Sequence, residues 1–339
     1  MLVRRLSFRT ICCAIVLLAS CGRASARSAD RHGSASREPV RKAVFIIVDG
    51  IPADVVERVE TPALDAIAAA GGYARAHVGG TLGGPTQTPT ISAPGYMSLL
   101  TGTWANKHNV WGNSGQSPNY AYWNLFRIVE AADSSKVTAI FSTWLDNRTV
   151  LVGEGHPGAG DFRIDHAVDG LEHDTVTFPH DAASRYIRAI DERVTDSAAA
   201  FIARRGPDLT WVYLQHTDDV AHANGTASAA FEAAVRDTDA RVGRIWGAVQ
   251  ERAARGEEWL FVVTTDHGRD PVTGKGHGGQ SERERTTWIV INRQPLSERF
   301  TRGEGAIVDI APTILQHLRV PVPAAVAREF EGVSLLRER

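Results

Sequence analysis

The sequence predicts an α/β fold, a three-layer αβα sandwich around a mostly parallel central sheet with a small inserted cap. Three observations carry this. Short continuous apolar runs recur along the chain, segments of helical periodicity fill the gaps between them, and acidic and histidine residues gather where the runs end. A chain of 339 residues that is 43% hydrophobic and 22% charged has ordinary globular composition and length enough for a large core, which excludes a fibrous or disordered protein. Its 37 Lys and Arg against 39 Asp and Glu leave a formal charge of −2, so there is no broad cationic field to hold nucleic acid.

At the N-terminus, Arg4, Arg5 and Arg9 precede or flank an apolar run over 11–19, the pattern of a secretory signal and too short for a permanent membrane span. The run ends in Leu18-Ala19-Ser20-Cys21, which resembles a bacterial lipoprotein signal whose Cys is lipidated. That reading makes residues 1–21 the signal and anchors the protein by Cys21 on the periplasmic side of a bacterial envelope. Simple cleavage after Ala24-Ser25-Ala26, giving a secreted protein, is the alternative. All three cysteines, Cys12, Cys13 and Cys21, lie in this leader, so a metal elsewhere must be held by His and carboxylate. Residues 22–39 are rich in Arg, Ser and Ala and read as a flexible tether to a catalytic domain over 40–339.

Within that domain the run 43–48 is continuously apolar, as expected of a strand covered on both faces. Similar runs recur at 137–141, 209–214, 260–263 and 288–291, and helical periodicity occupies 62–70, 182–204, 229–250 and 307–318. Strands alternating with helices of this length build a parallel sheet. Residues 145–180 are the place for a cap or insert.

The chemistry sits where the strands end, the usual ligand site of open α/β sheets. The first run ends in Asp49-Gly50. The run from Leu209 leads to Asp218-Asp219-Val220-Ala221-His222, and that from Leu260 to Asp266-His267-Gly268, followed by Gly276-His277-Gly278-Gly279. An Asp at a strand end is usually a cap or turn residue, but three carboxylates and three histidines so placed suit two adjacent zinc ions. A nucleophile is available in Thr90-Ile91-Ser92-Ala93-Pro94. Pro94 reads as the first helical residue, so Ser92 precedes a helix N-terminus that favours an anion; the plain alternative is that Ser92 is an N-cap.

These residues resemble the alkaline phosphatase superfamily, most closely its type I phosphodiesterase/nucleotide pyrophosphatase branch, from Asp49 to about Leu335. Asp49, the Ser92 segment with Leu100-Thr101-Gly102, the Asp218/His222 pair, Asp266-His267-Gly268 and His277 follow the family's order, and Asn113 stands 21 residues beyond Ser92, where the branch carries a phosphoryl-binding Asn. The resemblance implies one zinc on Asp218, His222 and His277, and a second on Asp49, Asp266 and His267 with Ser92 as nucleophile and ligand. It implies that Asn113 and the Ala93 N–H bind phosphoryl oxygens of a small-molecule phosphate ester. Asp219 competes with Asp218 for the ligand role, while His108 and His216 read as structural and His156 and Lys275 as loop residues. The branch usually has Thr and an aromatic where this chain has Ser92 and Ala93, which leaves nucleotide preference open; Trp104, Trp111, Tyr120, Tyr122 and Trp123 could supply an apolar wall or core. A sulfatase's nucleophile segment continues Pro-Ser-Arg, whereas here Gly95 and Tyr96 follow Pro94. The function expected is a zinc-dependent phosphoesterase, a phosphodiesterase first. A phosphomonoesterase, phosphonate hydrolase or sulfatase-like enzyme on the same scaffold, or a metal-stapled envelope binding protein, are the alternatives.

Overall fold

Strand β1 (Arg41–Val48) is buried on both faces, Ala43, Phe45 and Ile47 entering one core and Val44, Ile46 and Val48 the other. Side chains alternate along a strand, so an unbroken apolar run belongs in the middle of a sandwich. The computed structural model describes residues 38–337, in which the chain from Pro39 forms one unit. The leader, Cys21 and all but the last two residues of the 22–39 tether lie outside the described residues. No helix among the described residues is long and apolar enough to cross a membrane.

The sheet continues with β2 (Gly72–His77), β3 (Thr138–Ser142), β4 (His166–Val168), β5 (Leu209–Leu214), β6 (Glu258–Thr264), β7 (Thr286–Ile291) and β8 (Gly305–Ala306). Its eight strands run in the order β4-β3-β5-β1-β6-β7-β2-β8. Every pair is parallel except those of β7, which is antiparallel to β6 and β2. The sheet is thus mostly parallel, as the sequence predicts. β7 reverses because it returns from the His277 loop without a crossover helix, and only an antiparallel neighbour can be reached that way.

Helices Ser92–Thr101, Leu125–Ala132 and Ile310–Leu318 cover one face, and Pro62–Ala70, Arg185–Arg205 and Ala229–Ala253 the other. The helical segment expected at 307–318 opens as a 3-10 turn, Ile307–Asp309. Residues 145–180, the place for a cap or insert, pack partly into the sandwich. Leu151 and Val152 are buried in the main core, and β4 pairs with β3 as an edge of the central sheet. The insert is woven into the sandwich because its apolar residues bury against the layer already there. β2 and the two short strands β4 and β8 went unread in the sequence, being exposed on alternate residues or only two or three residues long.

Candidate active site

Because β5, β1 and β6 are neighbours and parallel, their C-terminal ends open side by side. Asp49 follows β1, Gln215 and helix His216–Asn224 follow β5, and Asp266 and His267 follow β6. Short ties fix the three ends to one another. The Asp49 N–H donates to Leu214 O at 3.0 Å, Thr217 Oγ1 donates to Asp49 O at 2.6 Å, and the Gly50 N–H donates to Asp266 Oδ1 at 3.1 Å. The N-terminus of His216–Asn224 is held by the buried Asp191 carboxylate, which accepts from the N–H groups of Gln215 and His216. Burial pushes the Asp191 carboxyl up to about 6.

Three candidate groups meet at His267. Its Nε2 lies 3.3 Å from Asp49 Oδ1, 3.3 Å from Asp266 Oδ2 and 3.4 Å from Ser92 Oγ. The His267 Nδ1–H donates to Gly268 O at 2.9 Å, which leaves Nε2 turned to the cluster. Asp49 Oδ1 and Asp266 Oδ2 are buried with no protein hydrogen-bond partner. The other Asp49 oxygen accepts from two tyrosine hydroxyls, Tyr213 at 2.7 Å and Tyr96. Burial opposes charge on His267, but the carboxylates of Asp266 and Asp49 outweigh it and hold its pKa up to about 9. Burial and then the charge of Asp49 push Asp266 up to about 7.

The second cluster adjoins the first. His222 Nε2 lies 3.1 Å from His277 Nε2 and 3.3 Å from Asp218 Oδ2. The His277 Nδ1–H donates to Thr90 O at 3.1 Å, so its Nε2 lone pair faces another ring nitrogen. Burial and the neighbouring His267 take the His277 pKa down to about 3. Among the described residues, Asp218, His222 and His277 form one group with ligand atoms within 4.8 Å, and Asp49, Asp218 and His267 another. Asp218 thus lies within reach of both groups, and Asp266 joins the second through its contact with His267. Unpartnered buried carboxylate oxygens beside converging imidazole nitrogens are a donor set that fits divalent cations.

Ser92 is the first residue of helix Ser92–Thr101 and 5% exposed. The helix starts two residues before Pro94, with Ile91 as the capping position and no side-chain cap, so Ser92 is not spent as an N-cap. Gly95 lets the helix approach: a Cβ there would stand 3.0 Å from Asp266 O and 3.1 Å from Asp266 Cβ. Asn113 comes to the same helix end, where its Oδ1 accepts from the Ala93 N–H at 2.9 Å. These two expected phosphoryl donors are thus bonded to each other, which leaves the Asn113 Nδ2 as the free donor.

The competing residues separate. Asp219 turns away to Gln215 Nε2 at 3.0 Å, leaving the ligand position to Asp218. His108 is buried between Ser98 and Val110, and His156 accepts from the Gly158 N–H against Tyr120. His216 is buried apart from both clusters. Lys275 Nζ donates to Ala223 O at 2.9 Å. Trp104 is buried and Tyr120 and Trp123 pack on the core, whereas Trp111, two residues from Asn113, is 48% exposed. Sequence reasoning missed Tyr96, Tyr213, Asp191 and Arg269. The last follows Asp266-His267-Gly268 directly, is fully buried and bonds Asp218.

A family model described as type I phosphodiesterase / nucleotide pyrophosphatase matches residues 43–321. The 2,3-bisphosphoglycerate-independent phosphoglycerate mutases of Gluconobacter oxydans and Rhodopseudomonas palustris are 34% and 33% identical over 152 and 146 residues, 42% of this chain. The match spans only 26% of either relative's length. Among solved structures, murine ectonucleotide pyrophosphatase / phosphodiesterase 5 aligns over 83% of this chain and 96% of its own, at 13% identity and a TM-score of 0.56. A phosphonate monoester hydrolase of Agrobacterium radiobacter aligns over 88% of this chain and 76% of its own, at 15% identity and a TM-score of 0.58. At such identities these structures establish the alkaline phosphatase-like fold alone.

Proposed function

The chain belongs to the type I phosphodiesterase / nucleotide pyrophosphatase family, a family of metal-dependent phosphoester hydrolases in the alkaline phosphatase superfamily, and from that premise we propose that it is a zinc-dependent phosphodiesterase with Ser92 as its nucleophile. One observation carries the proposal. Ser92 Oγ, Asp49 Oδ1 and Asp266 Oδ2 each stand 3.3 or 3.4 Å from His267 Nε2, and the two buried carboxylate oxygens accept no protein hydrogen bond.

On this reading Asp49, Asp266 and His267 hold one ion next to Ser92, and Asp218, His222 and His277 hold the other. When bound, the two cations neutralise the carboxylates, ease ionisation of the serine hydroxyl and take up charge on the phosphoryl and leaving oxygens. Ser92 Oγ attacks phosphorus and the ester oxygen departs as an alcohol; water then cleaves the phosphoseryl bond and returns the proton to Oγ. The N-terminus of the ten-residue helix favours negative charge on Oγ at both stages. Asn113 Nδ2 donates to a phosphoryl oxygen while its Oδ1 stays on the Ala93 N–H. The Nδ1–H bonds of His267 and His277 orient each ring so that its Nε2 faces the cluster, where a bound cation would take the lone pair. The Leu18-Ala19-Ser20-Cys21 motif supports attachment through Cys21 at the periplasmic side of a bacterial envelope.

The test is Ser92→Ala in zinc-loaded protein. It should keep the fold and both ions, while turnover of an aryl phosphodiester falls by about three orders of magnitude or more. Turnover near that of the unmodified protein would assign the attack to water and overturn the serine role.

A further inference from the structure

Arg269 is 0% exposed and lies among the segments that carry both ligand sets. Its Nε donates to Gly50 O at 3.3 Å, beside Asp49. Its Nη2 donates to Asp218 Oδ1 and, at 3.3 Å, to Asp218 O. Its Nη1 donates to Lys275 O at 3.0 Å, two residues before His277, and lies 3.4 Å from His222 Nε2. One guanidinium thus ties together the end of β1, the start of helix His216–Asn224 and the His277 loop. Gly50 makes room for it: at φ 64° it adopts a left-handed conformation, and a Cβ there would collide with the guanidinium.

We propose that Arg269 is a positioning residue of the metal centre, fixing Asp218 so that Oδ1 is held by the guanidinium 3.7 Å from His277 Nε2 and Oδ2 is presented 3.3 Å from His222 Nε2. This rests on the reading that Asp218, His222 and His277 hold one ion. Full burial keeps Arg269 from touching substrate, so it acts through Asp218. The planar fork is what the task requires, since three nitrogens reach three segments at once and an ammonium could not. Two effects on metal affinity oppose each other. The guanidinium charge repels a cation, but the Asp218 carboxylate it binds offsets that charge. Without Arg269, the partly buried Asp218 loses the hydrogen bond that holds Oδ1 and is free to turn from the site. Orientation therefore outweighs repulsion.

The test is zinc binding by the whole chain, measured by equilibrium dialysis against a competing chelator. In Arg269→Met, one ion should bind as in the unmodified protein, and the other should bind 10–100-fold more weakly, the usual effect of removing a group that supports a ligand. The weakened ion should be the one that His222→Ala removes. Arg269→Lys keeps the charge without the fork and should recover only part of the affinity. If Arg269→Met does not fold, a site-selective loss of about tenfold in Arg269→Lys carries the same conclusion. Both ions bound as tightly as before, or more tightly, would overturn the role of Arg269. An unmodified protein that binds no zinc, or that keeps both ions after His222→Ala, would instead overturn the metal-site reading, and this proposal with it.

Discussion

Removing the hydroxyl of Tyr213 tests how the metal centre is held from behind. Tyr213 is on β5 opposite Ile47 of β1, a register that brings its hydroxyl to Asp49 Oδ2 at 2.7 Å. Tyr96, from the Ser92 helix, donates to the same oxygen. Burial and the charge of Asp49 push both hydroxyls well above the ordinary tyrosine range, so both stay protonated and both donate. They turn Oδ1, the unpartnered oxygen, toward His267. A hydrogen bond to a charged group contributes about 1.5–3 kcal/mol. Because Tyr96 remains, Tyr213→Phe should fall at the low end, costing about 1.5 kcal/mol in the urea unfolding of metal-free protein. Zinc affinity at the Asp49 cluster should drop roughly tenfold while the Asp218 cluster binds as before. The double Tyr96→Phe, Tyr213→Phe variant strands a buried carboxylate and should lose more than the sum of the single changes. Unchanged zinc binding together with an unchanged unfolding midpoint in Tyr213→Phe would refute the reasoning.

Two further outcomes follow. The cations that could have added positive charge over the site are engaged elsewhere: Arg127 on Trp123 and Gly158 O, Arg148 on Asp169 and Glu154, Lys275 on Ala223 O. With Arg269 buried and Asn113 neutral, kcat/KM for an aryl phosphodiester should exceed that for the matching monoester by more than about tenfold, roughly 1.4 kcal/mol of transition-state binding; a monoester preference on the same zinc-loaded preparation would reverse the assignment. Cys21→Ala should abolish fatty-acid labelling of the protein, since stable anchoring needs more than one acyl chain on the lipidated cysteine, and equal labelling of both forms would refute the lipoprotein reading.

The sequence by itself carried the apolar runs that became β1, β3, β5, β6 and β7, and the residues at their ends, Asp49, Asp218, His222, Asp266, His267 and His277. Those signals are local: a strand alternates every second residue, a helix returns after four, and a motif at a strand end needs only its own neighbours. Tertiary structure alone decided what holds them. Tyr213 sits in an apolar run and reads as core, and nothing beside it in sequence marks Asp49 as its partner 164 residues away. Arg269 meets Asp218 across 51 residues and Gly50 across 219. The inserted segment likewise gave no sign that β4 would complete the sheet edge. Such contacts exist because β1 pairs with both β5 and β6, and a pairing register between distant strands is fixed by the burial of whole faces rather than by any residue's near neighbours.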